Sequence, residues 1–276
     1  MARQKRIALI NDITGFGRCS VTVQLPLISA MRVQACPLPT AILSVHTGFP
    51  NHYLDDYTDR MRPYMENWAA NTLEFDAILT GFLGSERQIE VVLECIARFK
   101  QRTTQLVVDP VMGDNGSLYS SYTPALCAKM RQLLPQADVV TPNLTEACQL
   151  LGVSYPMGGL VTEDELARMA AAIAAMGPRT VIITGLHASE NVRTYLYADG
   201  CGRSFDNPKV GRDRSGAGDA FSAIIAAALV RGIPLAEAVP RAADFIGHCL
   251  TYAEELDLPW NHGLPFEEFM GELTRL

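Results

Sequence analysis

The chain has 276 residues, 48% of them hydrophobic and 19% charged, with a formal net charge of −7. That length suits one large α/β domain or two small ones, and the composition is that of an ordinary globular protein without biased tracts. The basic residues form no run longer than the opening "RQKR", which argues against an extended nucleic-acid surface but leaves room for a small anionic ligand.

The N-terminal "MARQKRIALIND" offers four apolar residues before Asn11, too few for a signal-peptide core. The longest apolar run, "AIIAAALV", falls well short of the roughly 20 residues that span a bilayer. The seven cysteines are scattered, with no C-x-x-C pair, a pattern that fits buried thiols in a reducing compartment. A soluble cytoplasmic protein without membrane or nucleic-acid partners is expected.

In chain order, short β-branched runs alternate with amphipathic stretches. "RIALIND" reads as a strand and "VTVQLPLISAM" as a helix. "TAILSV" is followed by a helical "DDYTDRMRPYMENWAA", and "DAILTGF" by "ERQIEVVLECIARFKQ". "QLVVDP" precedes a loop and "TPALCAKMRQLL". "ADVVTPN" leads into "LTEACQLLG" and "EDELARMAAAIAAMG", and then comes "TVIITGL". Serial βα units of this kind predict a mostly parallel sheet with helices on both faces. A hairpin, "VRTYLYADGCGRSFDN", follows and turns at Asp199-Gly200. "GFGRCS" lacks G-x-G-x-x-G spacing and reads as a flexible loop, and no G-x-x-x-x-G-K-[ST] occurs.

Ligands of such sheets collect beyond the carboxyl ends of the strands. Those ends carry Asn11 and Asp12, His46 and Thr47, Gly81, Asp109, Thr141 with Asn143, and Thr184 with Gly185. Polar groups and glycines, distant in sequence, would thus converge on one rim.

"RSGAGDAFSAIIAAALVRG", Arg214 to Gly232, adds a second signal. Gly216, Ala217 and Gly218 allow a tight turn and close approach to main-chain N–H groups, where a helix start favours an anion. Asp219 at that mouth reads either as an ordinary first-turn acid or as a base that deprotonates a hydroxyl while the turn holds a phosphate. The apolar helix behind it places the carboxylate in a cleft. "NLTE" has capping-box spacing from Asn143 to Glu146, and "GDNG" around Asp114 is good turn chemistry. Either can be structural, functional or both.

"RSGAGDAFSA" resembles the C-terminal signature of the ribokinase-like superfamily of small-molecule kinases. "SVHTGF", "ILTGFLGS", "VVDPVMGDNGSLY" and "VVTPNLTEACQLL" resemble successive blocks of its vitamin B6 kinase branch, over essentially the whole chain. The resemblance implies one ribokinase-like domain, residues 1–276, with a central mostly parallel sheet. It implies ATP-dependent phosphorylation of the 5′-hydroxymethyl group of pyridoxal, pyridoxamine or pyridoxine, in pyridoxal 5′-phosphate salvage. Asp219 would be the base, with Gly216, Ala217 and Gly218 as the anion hole. Asp109 and Glu146 would hold Mg²⁺. Asp114, Asn143, Thr184 and Gly185, with Gly216 and Gly218, would contact the nucleotide. Asp12, His46, Thr47 and Gly81 would contact the substrate. A homodimer is implied as well, and a monovalent-cation requirement is left open. Adenine contacts are expected around Asn207 to Arg212 and the final helices. Asp12 departs from the branch, in which serine is common near this position; an acid there could accept a hydrogen bond from a protonated ring nitrogen. Hydroxymethylpyrimidine kinase is the rival enzyme, and a non-catalytic nucleotide- or vitamin-binding regulator is the rival of another class.

Overall fold

The computed structural model describes residues 3–275. Its strands are β1 (Arg6–Phe16), β2 (Gln34–Val45), β3 (Leu54–Asp56), β4 (Ala77–Thr80), β5 (Gln105–Val108), β6 (Gly113–Asp114), β7 (Ser117–Leu118), β8 (Val139–Val140), β9 (Thr180–Ala188), β10 (Asn191–Ala198) and β11 (Cys201–Pro208). Its helices are α1 (Val21–Ala30), α2 (Thr58–Ala70), α3 (Glu86–Phe99), α4 (Pro124–Met130), α5 (Leu144–Leu151), α6 (Glu163–Ala174), α7 (Ala217–Arg231), α8 (Leu235–Glu255) and α9 (Met270–Leu273).

Nine strands form one sheet in the order β11-β10-β9-β8-β5-β4-β1-β2-β3. From β9 to β2 every neighbouring pair is parallel, while β3, β10 and β11 pair antiparallel at the edges. The six expected parallel strands are all present. The edge strand β3 takes Asp55 and Asp56, which the sequence reading placed in the helical stretch that in fact starts at Thr58. The loop after β5 contains a small separate hairpin, β6–β7.

Alternation along the buried strands sends successive residues to opposite faces. Ala8, Ile10, Ile78 and Val108 pack toward α2 to α6. Ile7, Leu9, Leu79 and Val107 pack toward α1, α7 and α8. The sheet is therefore sandwiched between two helical layers, each with its own core. Helix α7 is buried from Ala220 to Ala228, and its run of alanines lets it lie close to the sheet. Five of the seven free cysteines are buried. Among the described residues no helix is long and apolar enough to cross a membrane.

Candidate active site

The backbone ladder continues one residue past several strands and carries side chains onto the carboxyl rim. The N–H groups of Gly81, Asp109 and Thr141 donate to the carbonyls of Ile10, Thr80 and Val108 at 2.8, 3.2 and 3.1 Å. On β1 the register against β2 slips between Asn11 and Ile13. Bulges of this kind re-aim side chains. Here the slip brings Asn11 and Asp12, both buried, to the rim.

Helix α7 starts at the same rim. Gly216, its N-cap, has φ +89°, and a Cβ there would sit 2.0 Å from the carbonyl oxygen of Arg18. Only glycine fits. Gly216 brings no side chain to cap the helix, so the first-turn N–H groups remain available to an anion in the cleft. The Ala217 N–H already has a long contact, 3.4 Å, to the Arg214 carbonyl, which makes it the weakest donor of the expected hole.

Asp219 occupies the first turn of α7 and is half-buried. Its Oδ1 accepts from Asn11 Nδ2 at 3.0 Å and its Oδ2 from the backbone N–H of Ser20 at 2.8 Å. Burial pushes its carboxyl up to about 6, the negative Asp12 beside it adds to the rise, and the two hydrogen bonds partly offset it. Asp12 accepts from the Thr14 hydroxyl at 2.6 Å, and burial raises its carboxyl too, against the Ser20 and Thr14 hydroxyls.

Asp109 and Glu146 are both buried. Glu146 and Asn143 form a reciprocal capping box at the start of α5, with Asn143 N–H donating to Glu146 Oε2 at 2.8 Å and Glu146 N–H to Asn143 Oδ1 at 2.9 Å. Glu146 Oε1 also accepts from Met112 N–H at 3.1 Å. The capping reading of "NLTE" is thus correct, and it holds the carboxylate rigidly at the rim. Burial raises both acids, and each raises its neighbours by like-charge repulsion: Asp219 acts on Asp109, and Asp109 acts on Glu146. Beside them the hydroxyls of Thr80 and Thr141 are buried without any hydrogen-bond partner. Among the described residues no group of three or more His, Cys, Asp or Glu is placed to hold a metal ion; a cation between Asp109 and Glu146 would be completed by water and substrate oxygens.

One cleft of about 680 Å³ contains these groups, a size typical of small-ligand sites. Asp12, His46, Thr47, Asp109, Asp114 and Asn143 line it, as do Glu146, Thr184, Gly185 and the turn from Gly216 to Asp219. Gly81 does not. It is buried beneath Asn11, and a Cβ there would fall 2.3 Å from Asn11 Nδ2. The expectation that Gly81 touches substrate is corrected: its lack of a side chain makes room for Asn11.

His46 also differs from a free polar contact. Its Nδ1 accepts from Gly48 N–H at 3.1 Å, which leaves Nε2 as the donor to the Asn261 carbonyl at 2.8 Å. Both nitrogens are occupied, so the residue pins its loop and offers the cleft only its ring. Around it stand Phe49 and Trp260, with ring centroids 4.9 and 6.2 Å away. Trp260 lines the cleft and carried no motif in the sequence. The Gly15–Ser20 segment, expected to be a flexible loop, instead ends β1 with Gly15 and Phe16 and continues as a turn wedged between neighbours. A Cβ on Gly263 would fall 1.8 Å from the Gly17 carbonyl oxygen, and Arg18 and Ser20 adopt φ 44° and 55°.

The cleft also has apolar walls, among them Val192, Val210, Phe221, Ala243, Ile246 and Leu250. The β6–β7 hairpin brings Asp114 to the cleft, turning through Asn115 and Gly116 at φ 50° and 79°. Arg214, unremarked as a site residue in the sequence, buries its guanidinium between the Pro259 carbonyl and Glu254, both at 3.0 Å. It anchors the turn that leads into α7.

The phosphomethylpyrimidine kinase family profile matches residues 25–263. The chain is 30% identical over 254 residues to the hydroxymethylpyrimidine/phosphomethylpyrimidine kinase of Rhizobium meliloti, covering 90% of this chain and 91% of that one. It is 35% identical over 177 residues to the pyridoxine kinase of Bacillus subtilis, covering 62% of each. Against the chloroplastic thiamine biosynthetic bifunctional enzyme of Arabidopsis thaliana it is 32% identical over 205 residues, 72% of this chain but only 37% of that longer protein. A crystal structure of a phosphomethylpyrimidine kinase from Bacteroides thetaiotaomicron, in a form with pyridoxal, superposes with a TM-score of 0.92 at 35% identity. That match covers 99% of this chain and 96% of that one.

Proposed function

The chain belongs to the phosphomethylpyrimidine kinase family, and on that premise we propose that it transfers the γ-phosphoryl group of ATP to the 5′-hydroxymethyl group of pyridoxal, pyridoxamine or pyridoxine. The observation that carries this reading is the placement of Asp219. It is a half-buried carboxylate held by two N–H donors at an uncapped helix mouth, in one cleft with Asp109 and Glu146.

In this reading the acceptor alcohol lies against Asp219, which orients the hydroxyl and takes its proton. Phosphoryl transfer is largely dissociative, so the proton need leave only late and a carboxylate suffices. The N–H groups of Gly218 and its neighbours draw off charge from the transferring phosphoryl oxygens. Asn143, Thr184 and Asp114 lie along the polyphosphate, and the apolar wall of Phe221, Ile246 and Leu250 takes the adenine. Asp109 and Glu146 fit Mg²⁺, which commonly uses one or two carboxylates and keeps several waters. The orphaned Thr141 hydroxyl, which lines the cleft, is suited to such waters. When bound, the cation supplies neutralisation of phosphate charge.

At the acceptor end, Asp12 receives the ring nitrogen, Thr47 a ring substituent, and the His46 and Trp260 rings the faces. Pyridoxal in the Bacteroides thetaiotaomicron crystal supports a B6 vitamer. A second reading, hydroxymethylpyrimidine, is supported by the name of the Rhizobium meliloti relative; its ring also has a nitrogen and a hydroxymethyl arm. A cytoplasmic homodimer belongs to the proposal, supported by the seven free thiols and by exposed Ile42, Tyr53 and Leu54 at the β2–β3 edge. The test is ADP release on each vitamer and on hydroxymethylpyrimidine. Turnover confined to hydroxymethylpyrimidine replaces the first reading with the second, and no turnover on any of them rejects both.

A further inference from the structure

The base has a support that its reaction does not require by chemistry alone. Asn11 is fully buried and all four of its side-chain hydrogen-bonding positions are used. Its Oδ1 accepts two backbone N–H groups, from Asp12 at 2.9 Å and from Phe82 at 2.8 Å. Because only oxygen can accept both, the amide cannot be turned over. Its Nδ2 must then point the other way, where one hydrogen reaches Gln24 Oε1 at 2.9 Å and the other Asp219 Oδ1 at 3.0 Å.

The constraint propagates. Gln24, also fully buried, accepts from Asn11, so its Nε2 is the donor to Ser222 Oγ at 3.2 Å. The Ser222 hydroxyl donates in turn to the Asp219 backbone carbonyl at 3.2 Å. A closed buried circuit thus runs from the Asp219 side chain through β1, α1 and α7 back to its own main chain. Gly81 completes it, since any side chain there would displace the Asn11 amide.

We propose that Asn11 is a positioning residue that aims the Asp219 carboxylate at the acceptor hydroxyl, held in the only orientation that donates to it by the backbone N–H groups of Asp12 and Phe82. The inference rests on Asp219 being the base. Asn11 itself does not line the cleft and acts through Asp219. A buried amide kept merely to satisfy the core would not need to present its N–H to the reacting carboxylate.

A double-mutant cycle on the full chain tests this. Asn11→Leu is expected to lower kcat roughly 10- to 100-fold, the scale of one lost hydrogen bond to a charged group. KM values and ADP binding should stay within about threefold. In an Asp219→Ala background the same substitution should cost almost nothing further, because there is no carboxylate left to aim. An equal fold-loss in both backgrounds identifies a structural amide and overturns the proposal, as does full activity of Asn11→Leu. If Asn11→Leu does not fold, Gln24→Met preserves length and volume while removing one of the two acceptors of the Asn11 amide, and the same pattern at smaller amplitude is required of it. Wild-type turnover by Asp219→Ala alone removes the base and this inference together. Loss in Asp219→Ala without coupling to Asn11 or Gln24 leaves the base and removes only the positioning role.

Discussion

The backbone N–H of Ser20 donates to Oδ2 of Asp219 at 2.8 Å, across 199 positions of the chain. Ser20 reaches that geometry with φ 55°, a conformation non-glycine residues adopt at a cost. The carboxylate is therefore held from below by a strained loop and from the side by Asn11, while burial lifts it to about 6. A base must be deprotonated to act, so kcat/KM should rise with pH through an acid limb near that value and level off above it. Asp12 and Asp109, the neighbouring acids, contribute to the limb's position. A pH profile of the wild type, compared with Asp219→Asn, checks it. A profile flat from about pH 5 to about pH 8 contradicts it.

Burial makes Asp109 and Glu146 a pH-dependent cost to stability. Both carboxyls are raised by burial in the folded chain. The folded state therefore holds protons that the unfolded state releases, and the stability this represents is complete at low pH and lost as pH rises through the raised values. In EDTA, Asp109→Asn should match the wild type in Tm near about pH 4. By about pH 8 it should exceed the wild type by a few degrees, roughly 2–6 °C. Added Mg²⁺ should raise Tm at the higher pH only when both acids are present, and EDTA should abolish turnover. Thermal unfolding with and without the cation measures all of this.

Asp12 should matter to the acceptor and not to ATP. Its carboxylate is buried against Thr14 and lines the cleft. Loss of a charge-assisted hydrogen bond to a ring nitrogen costs about 1.5–3 kcal/mol, so Asp12→Ser should raise KM for pyridoxal and pyridoxamine roughly 10-fold or more, with KM for ATP unchanged. Unchanged vitamer KM values mean that the contact is absent.

Gly216 tolerates no side chain. Its φ is +89° and the Arg18 carbonyl oxygen lies 2.0 Å from the Cβ position. The obstacle is backbone and cannot swing aside. Gly216→Ala should destabilise the fold by about 1–3 kcal/mol and lower kcat through displacement of the α7 mouth. Gly218→Ala meets open space and should leave Tm within about 1 °C. Chemical denaturation of the two variants separates these cases.

The parallel sheet was legible because its strands are buried on both faces and read as short runs of Ile, Val and Leu between helical segments. The hairpin at Asp199-Gly200 was legible from turn chemistry, and both residues take positive φ there. Edge strand β3 was not, since its three residues, Leu-Asp-Asp, are paired by position along β2 and carry no pattern of their own. At the site, most rim residues announced themselves as polar groups ending apolar runs. Gly81 misled for a physical reason: its space is taken by a side chain from another strand. Asn11 showed as a rim residue, but its partners Gln24, Phe82 and Asp219 come from three distant segments, and no local pattern links them. Trp260 was invisible because an aromatic wall needs no spacing, only proximity.

Proton transfer by Asp219 is the step on which the proposed phosphorylation of a hydroxymethyl acceptor depends. Single-turnover ADP formation with Asp219→Ala at saturating ATP and acceptor, with ADP affinity measured in parallel, isolates that step. The expected rate is roughly 10²- to 10⁴-fold below wild type with nucleotide affinity preserved. Wild-type phosphoryl transfer by that variant would contradict it.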